Sequence, residues 1–130
     1  MDTDQLLAAM PFAVATGVVL DSAEPGHVLG HLPWAPERCT AGGVLPGGAL
    51  MTLADSVGAV CAFLNLPEGA TTSTVSSSTS LMRALRTGTA RASATPLHVG
   101  RSFVVVSVDL TDDDGRRLAQ VTQTQAVLPG

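Results

Sequence analysis

The stretch "VLPGGALMTLADSVGAVCAF", residues 44–63, is apolar or small on almost every side, yet it holds one carboxylate, Asp55. Leu50, Leu53, Ala54, Val57, Gly58, Cys61 and Ala62 recur at helical spacing. Pro46 marks the start, because its missing N–H costs nothing in a first helical turn and its ring favours helical φ. Gly47 and Gly48 would let another backbone or a ligand come close, and "NLPEG" ends the helix. Small residues all round predict a helix that is enclosed, as if wrapped by a sheet. A buried, unpaired carboxylate is expensive, so Asp55 either reaches solvent or is kept for chemistry. Thr52, one turn before it, and Ser56, next to it, would equally suit a solvated helix face.

Working outward, "TDQLLAAM" reads as a short amphipathic helix capped by Thr3 or Asp4. Residues 13–20 are mostly small or β-branched and read as a strand. "AEPG" then turns into a second strand, "HVLGHLP", and "WAPERCTAGGVL" is a loop leading into the central helix. Three β-prone stretches follow the helix: residues 70–83, rich in Ser and Thr, residues 87–98, and "RSFVVVSVDLT". "DDDGRR" is a hairpin turn signalled by its Asp-Gly pair, and "LAQVTQTQAVL" alternates and closes the sheet. Long strands joined by short turns predict an antiparallel sheet. With neither repeat nor linker in view, residues 1–130 read as a single α+β domain.

Composition excludes several function classes. Of 130 residues, 45% are hydrophobic and 14% charged, which predicts a globular chain with some surface covered by a partner subunit. The net charge of −4 comes from 11 acids against 7 basic residues, all of them Arg. With no basic block and few aromatics, a nucleic-acid groove is not expected. Asp55 and Thr52 interrupt the longest apolar run, and the acidic start is unlike a secretory signal, so no membrane role and a cytoplasmic location are expected. Cys39 and Cys61 are too few for a disulfide framework, and Cys61 reads as a small buried thiol. His27, His31 and His98 lack a metal-ligand spacing, so no metal is expected. No Gly-x-Ser-x-Gly elbow offers a serine nucleophile.

"AGGVLPGGALMTLADS", followed by "MRALRTGTARASATPLHVGRSFVVVSVDLTDDDGRRLAQVTQTQAVL", resembles the hotdog-fold acyl-CoA thioesterases of the phenylacetate-degradation type. The resemblance runs over roughly residues 17–128 and implies a long central helix wrapped by an antiparallel β-sheet. In that family a His-Gly-Gly triplet opens the helix and a carboxylate eight positions after the first Gly does the chemistry. Here the triplet is Pro46-Gly47-Gly48, and Asp55 stands at the catalytic spacing. The family's Asn, seven positions before that Gly, is Thr40 in this chain. Its water-positioning Ser or Thr on the next strand falls on Thr74, with Ser73 one register away. The common Arg-Pro-Ala becomes Arg83-Ala84-Leu85.

The implied chemistry is hydrolysis of an aryl- or medium-chain acyl-CoA to free acid and CoA, with no cofactor beyond the CoA of the substrate. Asp55 would activate water or attack directly, and the Gly47 amide, at a helix N-terminus, would polarise the carbonyl. Arg83 and Arg101 are candidates for the CoA phosphates, since the guanidinium fork suits them. Exposed strand ends would explain both arginines equally well. Eight residues at about 1.5 Å rise put Gly47 and Asp55 roughly 12 Å apart on one helix. They meet at one carbonyl only if a second helix runs antiparallel alongside, so a homodimer is the expected minimal unit, assembling further to a homotetramer. Two alternatives are an acyl-thioester-binding hotdog protein without turnover, and a hydroxyacyl-thioester dehydratase. The second resembles His-dependent enzymes, and the long helix contains no His.

Overall fold

A computed structural model describes residues 2–130. Two short helices, α1 (Thr3–Ala8) and α2 (Pro11–Thr16), lead into β1 (Val19–Glu24) and β2 (His27–Pro33). A single 3-10 turn at Pro36–Arg38 precedes α3 (Gly47–Leu64), and four strands follow: β3 (Thr71–Leu81), β4 (Thr89–Val99), β5 (Phe103–Thr111) and β6 (Arg117–Leu128). All six strands form one antiparallel sheet in the order β1-β2-β4-β5-β6-β3. The sheet curls round α3, which packs on every strand. This is the hotdog fold that the resemblance implied.

By length and composition α3 is apolar enough to cross a membrane, but half of it is buried inside the fold. Its Leu53, Val57 and Cys61 share one buried core with Val104, Val106, Val108 and Leu110 of β5 and the row Ala90, Ala92 and Ala94 of β4. Burying one Leu or Val in this way contributes about 1.5–3 kcal/mol. Helix and sheet approach closely at Gly30 of β2, where an added Cβ would lie 2.7 Å from Val57 Cγ2.

Two sequence expectations change at the N-terminal end. Residues 13–16 are not strand but the body of α2, and β1 begins only at Val19 and runs on to Glu24. Pro11 stands in the first turn of α2, and Gly17, at φ 95°, closes it in a left-handed conformation that suits glycine. Arg38 then donates to Thr16 O and Pro33 O, fixing the junction between α2 and the sheet. The cap of α1 is Asp2, whose Oδ1 accepts from Asp4 N, rather than Thr3 or Asp4. Pro46 likewise sits just before the helix, with φ −67° but an extended ψ of 153°.

The hairpin turn at "DDDGRR" forms as its Asp-Gly pair predicts. Asp112 Oδ1 accepts from Asp114 N and Arg116 N, and Gly115 takes φ 79°. Strand β3 lies at the sheet edge and pairs only with β6. Its ladder slips between Thr74 and Ser76, so Val75 is bulged and stands 56% exposed. Before the bulge Thr74 lies opposite Gln125; after it Ser77 lies opposite Gln123. The extra residue thus turns Thr74 and Ser77 to the same side, toward the helix.

Candidate active site

Asp55 is exposed, although its helix neighbours Ala54 and Ser56 are buried. Its two polar neighbours on the helix are occupied elsewhere. Thr52 Oγ1 donates to Gly48 O and Ser56 Oγ to Thr52 O, each one turn back. What meets the carboxylate comes from the sheet. Thr74 Oγ1 donates to Asp55 Oδ1 at 3.2 Å and Gln123 Nε2 to the same oxygen at 3.0 Å. Among the described residues, Oδ2 has no hydrogen-bond partner.

Behind these donors stands a second layer. Gln125 Nε2 donates to Thr74 Oγ1 at 2.8 Å and to Gln123 Oε1 at 2.9 Å. Gln123 Nε2 also reaches Ser77 Oγ at 3.4 Å, and Thr72 Oγ1 donates to Ala126 O at 2.8 Å. Both glutamines are 1% exposed. In the sequence both read as ordinary polar positions of an alternating strand. One signal does mark them: Ala119 and Val121 define the inward face of β6, and Gln123 and Gln125 continue it.

Gly47 is the first residue of α3, and no described side chain caps that end. The first partnered N–H groups there are those of Ala49 and Leu50, both bonded to Pro46 O. The Gly47 N–H is therefore free for an incoming carbonyl, with the helix dipole behind it. Leu81 lies over its Cα, since an added Cβ would be 2.5 Å from Leu81 Cδ1; at Gly48 the same position is open.

The clefts separate these groups. Asp55 shares one with Met10, Pro11, Phe12 and Thr52, while Gly47 lies in another with Leu81, Met82 and Arg83. A separate apolar groove lined by Leu6, Met10, Ala59, Val60, Phe63 and Thr72 shares Met10 with the Asp55 cleft. Thus Thr74 joins Asp55 by a hydrogen bond and Arg83 shares the cleft of Gly47, but neither of these two clefts contains both Gly47 and Asp55. Ser73 lies opposite Ala126, one register from Thr74, and makes no contact with the acid. Thr40 closes a tight loop by bridging to Val44, and Arg101 stands in the β4–β5 turn; neither lines the two clefts. Among the described residues no three His, Cys, Asp or Glu side chains gather as metal ligands would.

The helix, the sheet around it and the acid held from β3 and β6 define a class, the hotdog thioesterases. The sequence profile of the thioesterase superfamily matches residues 42–119, more than half of the chain. The chain belongs to that superfamily, a family of thioester hydrolases. It is 31% identical over 110 residues to the proofreading thioesterase EntH of Cronobacter sakazakii, covering 85% of this chain and 74% of that one. It is 34% identical over 85 residues to a Vibrio cholerae protein assigned as an esterase, 65% of this chain and 57% of that one. In that match, and in one to a Haemophilus influenzae protein with 54% coverage, the chain spans little more than half of the relative's length. A variant of a Pseudomonas aeruginosa thioesterase superimposes with a TM-score of 0.93 at 26% identity, over 100% of this chain and 96% of that one. A Ralstonia eutropha protein assigned as a thioesterase, related to phenylacetic acid degradation, gives 0.83 at 26% identity over 91% and 90%.

Proposed function

We propose that the chain hydrolyses acyl-CoA thioesters with an aryl or medium-chain acyl group, using Asp55 and the Gly47 amide from two copies of the chain. One observation carries this reading: two donors hold Asp55 by Oδ1 alone and leave Oδ2 unpartnered. That free oxygen activates a water, or attacks the carbonyl to form an anhydride. Thr74 helps hold the water, and the Gly47 N–H stabilises the developing oxyanion. One such donor is worth about 3–4 kcal/mol in the transition state. The apolar groove from Met10 to Phe63 supports an aryl or medium acyl chain, and Arg83 beside Gly47 supports a role in holding CoA phosphates. We assign Arg101 the same role on its residue type alone.

Strand β3 supports the homodimer. Its 11 residues carry no charge and no proline, and one edge is free. Such an edge invites pairing with another copy. Thr74 lies against Asp55 and Leu81 against Gly47, so β3 runs alongside α3 from the acid to the amide. A second β3, antiparallel about a twofold axis near Ser77 and Ser78, would carry its own Gly47 toward this Asp55. Two composite sites result, and a homotetramer would pair two such dimers. The free Cys39 and Cys61 support a cytoplasmic location.

The test is release of free thiol from a panel of aryl- and fatty acyl-CoAs by wild type and Asp55→Asn. The proposal expects a loss of at least about a hundredfold in kcat for the variant. Equal rates would remove Asp55 from the chemistry. Binding of acyl-CoA without any thiol release would favour a carrier, a reading to which Pro46 and Thr40, standing for the family's His and Asn, lend weight.

A further inference from the structure

We infer that Gln123, held by Gln125, is a positioning residue that fixes which oxygen of Asp55 faces the substrate. The inference rests on the reading of Asp55 as base or nucleophile, and it concerns residues of β6 that the family motif does not include.

The direction of every hydrogen bond in the cluster follows from one fact: an ionised carboxylate only accepts. Gln123 must therefore turn its amide NH2 toward Asp55 Oδ1, which it does at 3.0 Å. Its carbonyl then points inward and needs a donor, so Gln125 must present its own NH2, found at 2.9 Å. The second hydrogen of that NH2 goes to Thr74 Oγ1 at 2.8 Å, and Thr74 has its hydroxyl hydrogen left for Asp55. The four side chains close a ring in which each link has one workable polarity. Reversing any amide would set two donors or two acceptors against each other.

The backbone is arranged to accommodate this ring. Gly58, one turn after Asp55, lacks the Cβ that would lie 3.0 Å from Gln123 Oε1. The bulge at Val75 brings both Thr74 and Ser77 to the acid's side. Each glutamine is 1% exposed, and buried amides are retained at a cost in desolvation unless fully partnered. A leucine at either place would suit the core without the ring. The ring's yield is orientation: both of its donors converge on Oδ1, so the carboxylate cannot rotate freely and Oδ2 stays turned to the cleft.

The test compares Gln123→Met, Gln125→Met, the double glutamine variant, Asp55→Asn, and Asp55→Asn combined with Gln123→Met, measuring kcat, KM and thermal midpoint with the acyl-CoA that wild type turns over fastest. Methionine keeps length and volume but donates nothing. Gln123→Met is expected to lose about tenfold or more in kcat with KM within about twofold, because only orientation of the reacting group changes. The double variant leaves no amide stranded, so its midpoint is expected to recover toward wild type while its kcat stays low. Adding Gln123→Met to Asp55→Asn is expected to cost nothing further. A double variant with wild-type kcat, or one whose kcat tracks its midpoint, overturns the inference, as does a full further loss in the Asp55→Asn background. Full activity of Asp55→Asn instead overturns the underlying reading, and this inference with it.

Discussion

Thr74 meets Asp55 across 19 residues of chain, its hydroxyl 3.2 Å from Oδ1, because a bulge at the next residue sets the register of β3. Ser73 points to the opposite face. Removing the hydroxyl alone therefore separates the two readings of the strand. Thr74→Val is expected to lower kcat by about tenfold to a hundredfold, since it removes one hydrogen bond to the reacting group and frees the Gln125 amide. Thr74→Ser should retain most activity, and Ser73→Ala should change nothing. Steady-state thiol release by the three variants checks this.

Gly30 stands where β2 runs closest to α3. A Cβ there would lie 2.7 Å from Val57 Cγ2 and 2.9 Å from Val19 O, and the carbonyl belongs to the paired strand β1 and cannot step aside. Gly30→Ala is expected to destabilise by about 1–3 kcal/mol, an overpacking cost, despite the usual gain from replacing glycine. Gly58→Ala makes an instructive partner. Its Cβ would press on Gln123 Oε1 at 3.0 Å, so turnover should fall while alanine's helix propensity offsets part of the crowding. Denaturant unfolding beside kinetics separates the two effects.

Alkaline pH isolates one group. Burial pushes the Cys61 thiol from 9.0 up to about 11. The chain has no Lys and no Tyr, so thiols are the only side chains of a type that ionises in this window. The unfolded thiol loses its proton first, near 9.0, whereas the folded one holds it to about 11. Stability is therefore complete below pH 9 and declines between pH 9 and pH 11, by about 2–3 kcal/mol. Cys61→Ala should abolish that decline while costing a small constant amount for the lost packing. Urea midpoints at pH 8, 9.5 and 11 for both proteins measure it.

The central helix was legible because three independent signals agreed: Pro46 and the glycines at its start, apolar spacing through it, and "NLPEG" at its end. Residues 13–20 misled because β-branched and small residues suit strands, while Pro11 and Gly17 punctuate a helix too short to show a period. Asp55 was legible as a candidate through its spacing from Gly47, and Thr74, which the structure brings against it, through the family pattern. Gln123 and Gln125 stayed hidden because glutamine in an alternating strand reads as the solvent side. Only the register of β6 against β3 and α3 reveals that two polar positions face inward. Thr40 and Arg101, chosen from motif and residue type, lie outside both clefts, since spacing along a loop or turn fixes no direction in space.

Charge at the centre of β3 should separate assembly from chemistry. Ser78 is exposed at the free edge and contributes to neither cleft. Ser78→Arg sets like charges face to face across the proposed axis and is expected to give monomers in sedimentation. With it, turnover should fall at least about a hundredfold although Asp55, Thr74 and Gly47 are unchanged, because each monomer retains only half of each site. A monomer with full activity would remove the composite site.

Complementation puts the same geometry to a direct test. Gly47→Pro deletes only the N–H proposed to bind the oxyanion, because proline is favoured at the first position of a helix. The preceding residue accepts it, since Pro46 already holds the extended ψ of 153° that a following proline requires. The flexible end of Leu81, 2.5 Å from an added Cβ, must turn aside. Gly47→Pro and Asp55→Asn are each expected to be inactive alone. Mixed and reassociated in equal amounts, half of the dimers should contain one copy of each. Each mixed dimer pairs the intact Asp55 of one copy with the intact Gly47 of the other, so one of its two sites is whole. About a quarter of the wild-type rate should return, counted per site of a twofold dimer. Sites built within one chain would recover nothing.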